Sequence, residues 1–290
     1  MGVANWFQTF CNDIRIPNGK IETIRRRYKS ITEKINSTYW GINSDTSHSL
    51  YVGSYGRGTD TRTSDVDIIV ELPDHLYTRY SGYSGNGQSA LLQDVKNTLL
   101  TSGHNTRMRG DGQVVVVDYS DGISFDVVPA FLRPNGKYHY PDTNGGGCWR
   151  VTDPRSEISA MSYMNILTNQ NLKRLCRMTR IWKANWNVNM DGLLIDTFAY
   201  NFMRGWVPNA AYSQYDAMSR DFFKYLSTMP FGVVFGAPGS NSSVFIKEDF
   251  SNKANKCYEL ALDAIAKQQA GYEYTAKLTW REIYGSKFPR

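Results

Sequence analysis

Apolar residues recur along this chain with two periods, and the change from one to the other organises it. Near the start, residues 5–12 are amphipathic and predict a short helix, ended by Pro17-Asn18-Gly19. Beyond that break, Ile21, Ile24, Tyr28, Ile31 and Ile35 stand three and four apart. That is the period of a helix with one buried face, here over residues 20–38. Arg25, Arg26, Arg27 and Lys29 lie between these positions and suit either a solvated face or contact with phosphate. The pattern then shortens. Residues 49–53 and 65–72 read as strands, the second carried by Ile68-Ile69-Val70. A Tyr/Ser/Gly-rich stretch at 77–88 has the composition of a mobile loop, and Ser89 is placed to cap a helix over 90–101. Gln113–Tyr119 (QVVVVDY) predicts a strand, Ser120-Asp121-Gly122 a turn, and Ile123–Phe131 the returning partner of a hairpin. Residues 133–156 show no period and read as a long irregular stretch, of a kind uncommon unless functional. From Glu157 the pattern is helical: 170–186, 191–205, 212–228 and 251–269, the last capped by Ser251 after a Gly/Pro/Ser-rich loop at 236–243.

Into this pattern fall acidic residues where apolar ones are expected. Asp65 and Asp67 open the second strand, and successive strand side chains alternate faces, so both project from the same one. Two carboxylates so close repel unless a cation lies between them. Mg²⁺ suits the place, since it takes hard oxygen ligands and shares them with substrate phosphates. Just upstream, Gly53-Ser54 opens a turn whose backbone N–H groups can face a phosphate. Asp126 interrupts the apolar run SFDVVPAF, where a carboxylate is costly unless it is paired, for instance with an arginine, or coordinates a metal.

Composition narrows the function classes. A chain of 290 residues forms one large domain or two closely packed lobes. Its 41% hydrophobic and 21% charged residues are ordinary for a globular protein. No run of about 18 apolar residues predicts a membrane span, and the start MGVANWFQTFCND has neither the basic nor the long apolar region of a signal peptide. Trp6 stands where a myristoylation site needs Ser or Thr. Cys11, Cys148, Cys176 and Cys257 are scattered, which argues against zinc and for free thiols in a reducing cytoplasm. The net charge of +6 suits anionic substrates such as nucleoside triphosphates, and equally weak nucleic-acid binding or plain solubility.

Gly53 to Glu71, GSYGRGTDTRTSDVDIIVE, resembles the signature of the DNA polymerase β-like nucleotidyltransferase superfamily, in which a Gly-Ser turn precedes a DxD strand. It is most similar to the bacterial cGAS/DncV-like nucleotidyltransferases (CD-NTases, SMODS type), and FDVVPAF, PDTNGGGCWRVTDP, LCRMTRIWK and WREIYGSKFPR extend the likeness along the chain. The resemblance implies an α+β fold: a polymerase β-like core of mixed sheet and flanking helices, packed on a helical lobe and joined to it by a long N-terminal spine helix. It places spine and catalytic core in residues 1–150 and the helical lobe in 151–290. It makes Asp65, Asp67 and Asp126 the catalytic, metal-holding triad for two Mg²⁺ ions, with Mn²⁺ able to substitute. Gly53 and Ser54 become nucleotide-binding residues. The triphosphate-binding cation of the family falls on Arg180, or on Lys183 if the register shifts. Gly192 and Leu193 stand where relatives often carry a Ser-aromatic pair. The implied activity is a template-independent, cytoplasmic and monomeric synthase. From NTPs it makes a cyclic di- or oligonucleotide that acts on a separate effector in anti-phage signalling (CBASS), with no membrane or stable nucleic-acid partner. Transfer of a nucleotide to an RNA end, small molecule or protein, and a non-catalytic nucleotide sensor on the same fold, are the alternatives.

Overall fold

The computed structural model describes residues 2–62, 65–100, 106–206 and 209–290. The chain folds into two compact units that are not consecutive in sequence. One comprises Ile16–Arg57 and Thr63–Arg155; the other comprises Met1–Arg15, Gly58–Arg62 and Ser156–Arg290. No helix of the described residues is long and apolar enough to cross a membrane.

The first unit is built on a mixed sheet. Its helix α2 (Asn18–Ile35) buries Ile24, Ile31 and Ile35, as the spacing of three and four predicts, and continues as a wider turn over Asn36–Trp40. (Helix α1, Val3–Asp13, belongs to the other unit.) The sheet begins with β1 (Ser49–Tyr51), followed by the short helix α3 (Gly53–Arg57) and by β2 (Val66–Glu71). After α4 (Asp74–Ser81) and α5 (Gly87–Leu100) come β3 (Thr106–Asp111), β4 (Val114–Tyr119) and β5 (Ser124–Leu132). The strand order is β1-β2-β5-β4-β3, with β2 parallel to β5 and the other neighbours antiparallel. Alternation divides the two faces. Val66, Ile68 and Val70 on β2, with Phe125 and Val127 on β5, pack in one core with Ile24, Ile31, Leu91 and Val95 of the helices. Asp67, Ile69, Asp126 and Val128 therefore lie on the opposite face.

Several expectations change here. The stretch 133–156 is not irregular: β6 (Tyr138–Asp142) pairs with the end of β5 and with β7 (Cys148–Thr152). Gly145, Gly146 and Gly147 turn between them with consecutive positive φ angles, a conformation that side chains oppose. Half of the expected loop at 77–88 is the helix α4. The helix after it starts at Gly87, and Asn86 rather than Ser89 makes the cap, its Oδ1 accepting the Ser89 N–H at 2.9 Å.

The second unit is helical: α1, α6 (Pro154–Leu167), α7 (Asn171–Asn185), α8 (Gly192–Met203), α9 (Tyr215–Ser227), α10 (Ser251–Gln269) and α11 (Glu273–Tyr284). Its core gathers large aromatics, with Phe7 set edge-on against Trp280 and Phe288, and Trp182 against Phe223. The loop at 236–243 connects a small ribbon, β8 (Val234–Gly236) and β9 (Ser243–Phe245). Ser251 is the first residue of α10 rather than its cap; Phe250 holds the N-cap position with no side-chain cap, and Asp249 Oδ1 accepts the Ser251 N–H at 2.9 Å.

Candidate active site

Gly53 is required twice. Its φ of +57° lies in the left-handed region, and a Cβ there would come 1.9 Å from Asp67 Oδ2. The chain can turn from β1 into α3 with the Asp67 carboxylate resting on it only because this position has no side chain. The next residue, Ser54, donates its backbone N–H to that carboxylate. The Gly-Ser turn and the acidic strand therefore form one local structure.

The parallel register sets Asp67 of β2 directly beside Asp126 of β5. Neighbouring strands run about 4.8 Å apart, so the two side chains share one face within reach of each other. Asp65 precedes β2 and is exposed, and its charge is felt by both. Burial, then repulsion from Asp126, pushes the Asp67 carboxyl up to about 6 against the partial relief of Arg57, with Asp65 adding to the repulsion. Burial and then Asp65 raise Asp126 as well; Arg109 opposes this, and Asp111 and Asp118 reinforce it. Neither Asp67 nor Asp126 forms an ion pair among the described residues, whereas Asp118 has Arg109 at 2.9 Å and the Ser124 hydroxyl at 2.7 Å.

These residues fit a hard divalent cation. The donors are all carboxylate oxygens, and their mutual repulsion is the charge deficit that such an ion relieves. Among the described residues, no three His, Cys, Asp or Glu side chains converge closely enough to hold an ion by themselves.

Arg180 sits in an internal ion pair. Its guanidinium is almost enclosed on α7 and engaged on every side: Nη1 to Asp196 Oδ1 at 2.7 Å, Nη2 to Asp196 Oδ2 at 3.0 Å, and Nη2 to the Gly192 carbonyl at 3.1 Å. Asp196 also accepts the Thr59 hydroxyl at 3.0 Å. The fork is thus occupied by Asp196 and the Gly192 carbonyl. Lys183, one turn on, is half-buried and forms no ion pair among the described residues. Gly192, in the place of the family's serine, supplies the carbonyl that Arg180 holds.

Sequence reasoning missed Arg57, which is buried and carries the positive charge nearest Asp67 in effect. Its signal was present in the quoted turn, as the lone cation between Ser54 and Gly58. Lys173 and Arg177 on α7 were noticed only as one face of a helix.

With fold and geometry in hand, the likeness to known proteins is specific. Residues 1–165 match the model of the SMODS family, the Second Messenger Oligonucleotide or Dinucleotide Synthetase domain, and the chain belongs to that family. A probable cyclic nucleotide synthase of Bacillus cereus (strain VD146) is 27% identical over 176 residues, covering 57% of this chain and 51% of that protein. The chain thus spans about half the length of the curated relative it matches. Among solved structures, CdnC of E. coli MS115-1, determined in complex with HORMA-deltaN, aligns with a TM-score of 0.71 at 15% identity over 99% of this chain and 98% of that one. The CD-NTase CdnG of Bradyrhizobium diazoefficiens, in complex with GTP, aligns at 0.65 and 13% identity over 99% and 96%. Vibrio cholerae DncV aligns at 0.63 and 14% identity over 83% and 69%. These likenesses identify the fold as the α+β fold of the polymerase β-like CD-NTases.

Proposed function

We propose that the protein is a template-independent nucleotidyltransferase that makes a cyclic di- or oligonucleotide from NTPs. The observation that carries this reading is the pairing of Asp67 with Asp126 across β2 and β5, beside the Gly53-Ser54 turn. Membership in a family of second-messenger synthetases supports the product class. Resemblance to the synthases of anti-phage signalling supports a role in CBASS, where the product acts on a separate effector.

Asp65, Asp67 and Asp126 would hold the divalent ions. Mg²⁺ there supplies Lewis acidity: it lowers the pKa of an acceptor hydroxyl and neutralises the charge on the leaving pyrophosphate. The chain's own residues do the rest. The Gly53-Ser54 turn would face the donor's phosphates, with the Ser54 N–H already given to Asp67, and the missing side chain at Gly53 would let the polyanion and the Asp67 carboxylate approach the same backbone. Arg57 offsets part of the acidic charge from beneath. Asp67, held up near pH 6, must lose its proton before it can act as a ligand, so turnover falls as pH drops below that value. With Arg180 held by Asp196, the family resemblance assigns the triphosphate's cation to Lys183. The work is positioning and electrostatics, with no covalent intermediate on the protein.

The experiment is incubation with labelled NTPs and Mg²⁺, followed by phosphatase. A template-free product whose label is protected is expected. Consumption only when RNA or a small acceptor is added, or no turnover at all, would overturn the reading.

A further inference from the structure

Outside the acidic site, the helical unit contains a cavity of about 350 Å³ between the end of α1, the start of α7 and Tyr212. Four cations line it: Arg15, Lys173, Arg174 and Arg177. Surface cations ordinarily lie among carboxylates. Here none of the four forms an ion pair with a carboxylate among the described residues; neutral oxygens hold three of them instead. Lys173 Nζ meets the Ser162 hydroxyl at 3.3 Å. Arg174 reaches the Asn169 carbonyl at 3.2 Å and the Tyr215 hydroxyl at 3.3 Å, and lies 5.0 Å over the Tyr212 ring. Arg177 donates to the backbone carbonyls of Gly58, at 2.6 Å, and Asp60, at 3.0 Å. Arg15 is exposed, and its side chain makes no hydrogen bond among the described residues. The acids they feel are Asp60, half-buried and shared with Arg180, and for Lys173 also Asp196.

The crowding has a measurable sign. Burial and then the charge of Arg177 pull the Lys173 amine down, and burial, with Arg15 adding to it, pulls the Arg177 guanidinium down against Asp60. Four like charges around one polar cavity are costly when Asp60 answers them only in part and their hydrogen bonds go to neutral atoms. Three planar guanidiniums and an ammonium are also the donor set that recognises phosphate oxygens.

We propose that this cavity is a binding site for a small anion with clustered phosphates, such as a free polyphosphate or the phosphate tail of a nucleotide. The residues forming it all belong to the helical unit, and none is a member of the acidic site or its Gly-Ser turn. The loop Gly58–Arg62, which follows that turn in sequence, is held at the cavity by Arg177. The proposal does not depend on the enzymatic reading.

Calorimetric titration of the full chain with sodium tripolyphosphate, without divalent metal, tests it. One-to-one binding that weakens as salt is raised is expected. Arg15→Gln and Lys173→Gln should each weaken it roughly ten- to hundredfold, the loss of one charge-assisted contact. Gly53→Val, which obstructs the turn beside Asp67, should leave it unchanged. Arg15 supports nothing in the fold, so its variant stays informative if Lys173→Gln proves unstable. A parallel titration with metal-free ATP separates the sources: equal affinity means that phosphates alone are read, and tighter binding means that the base also contacts the cavity, for instance at Tyr212. Absence of binding by the wild type at millimolar tripolyphosphate would overturn the proposal. So would binding that survives both cavity variants, or that is lost in Gly53→Val alone.

Discussion

Asp67 on β2 and Asp196 on α8 both interrupt apolar segments, and the fold treats them in opposite ways. Asp196 is wholly buried and answered: both its oxygens take guanidinium hydrogens of Arg180, and one takes the Thr59 hydroxyl as well. Asp67 rests against Gly53, takes a backbone N–H from Ser54, and stands beside a second carboxylate. The first is an internal ion pair that holds the helical unit together. The second is charge the fold tolerates at a cost, and such sites mark where a protein expects something from outside. The difference lies in the pairing, not in burial.

The comparison can be broken most sharply at the acidic pair. Asp67→Ala or Asp126→Ala should reduce nucleotide incorporation by at least about a thousandfold, as loss of an essential electrostatic group does. A thermal melt should show the fold retained. A variant that turns over like the wild type removes the site. Next, Asp196→Asn should destabilise the protein by about 3–5 kcal/mol, because it strands a buried guanidinium. Arg180→Ala should do likewise, and denaturant melts will show it. If Arg180→Ala instead leaves stability intact and raises only the apparent KM for NTP, the residue is a substrate ligand after all. A smaller effect is expected at Lys183→Ala: a rise of roughly ten- to hundredfold in KM with little change in stability, measured by initial rates across NTP concentrations.

Much of this was legible before the fold was known. The β-branched runs fixed β2, β4 and β5. The DxD spacing placed Asp65 and Asp67, and Asp126 betrayed itself as a carboxylate in an apolar strand. Gly53 was legible as a turn residue, though its close contact with Asp67 was not. What failed depended on distant partners. β6 and β7, YHYPD and CWRVT, have no apolar alternation and exist by pairing with each other and with the end of β5. Arg180 was read from a local pattern that aligned it with a family lysine. In the fold its guanidinium is held by Asp196, sixteen residues on in another helix. A signal was there: an aspartate inside GLLIDTFAY, a helix apolar nearly all round, demands a buried cation. The cavity cations Lys173 and Arg177 looked like a solvated helix face because the chain that closes over them comes from residues 11–15 and 58–60.

The central claim is that Asp67 is charge awaiting a cation, and one pair of melts tests it. A carboxyl raised to about 6 in the folded state, from about 3.9 unfolded, binds its proton more tightly when folded. Stability is therefore lost as pH rises through that window, by on the order of 2–3 kcal/mol at pH 7.5. Asp67→Asn keeps an oxygen to accept the Ser54 N–H and removes the charge. Without divalent metal at pH 7.5 it should melt above the wild type, and the gain should shrink as pH falls and vanish at about pH 3, where the wild-type carboxyl is protonated in both states. With Mn²⁺ and a non-hydrolysable NTP, the order should reverse, because only the wild type keeps the ligand. An Asp67→Asn variant that melts below the wild type at pH 7.5, with and without metal, would show the carboxylate to be a paired structural group and would contradict the account.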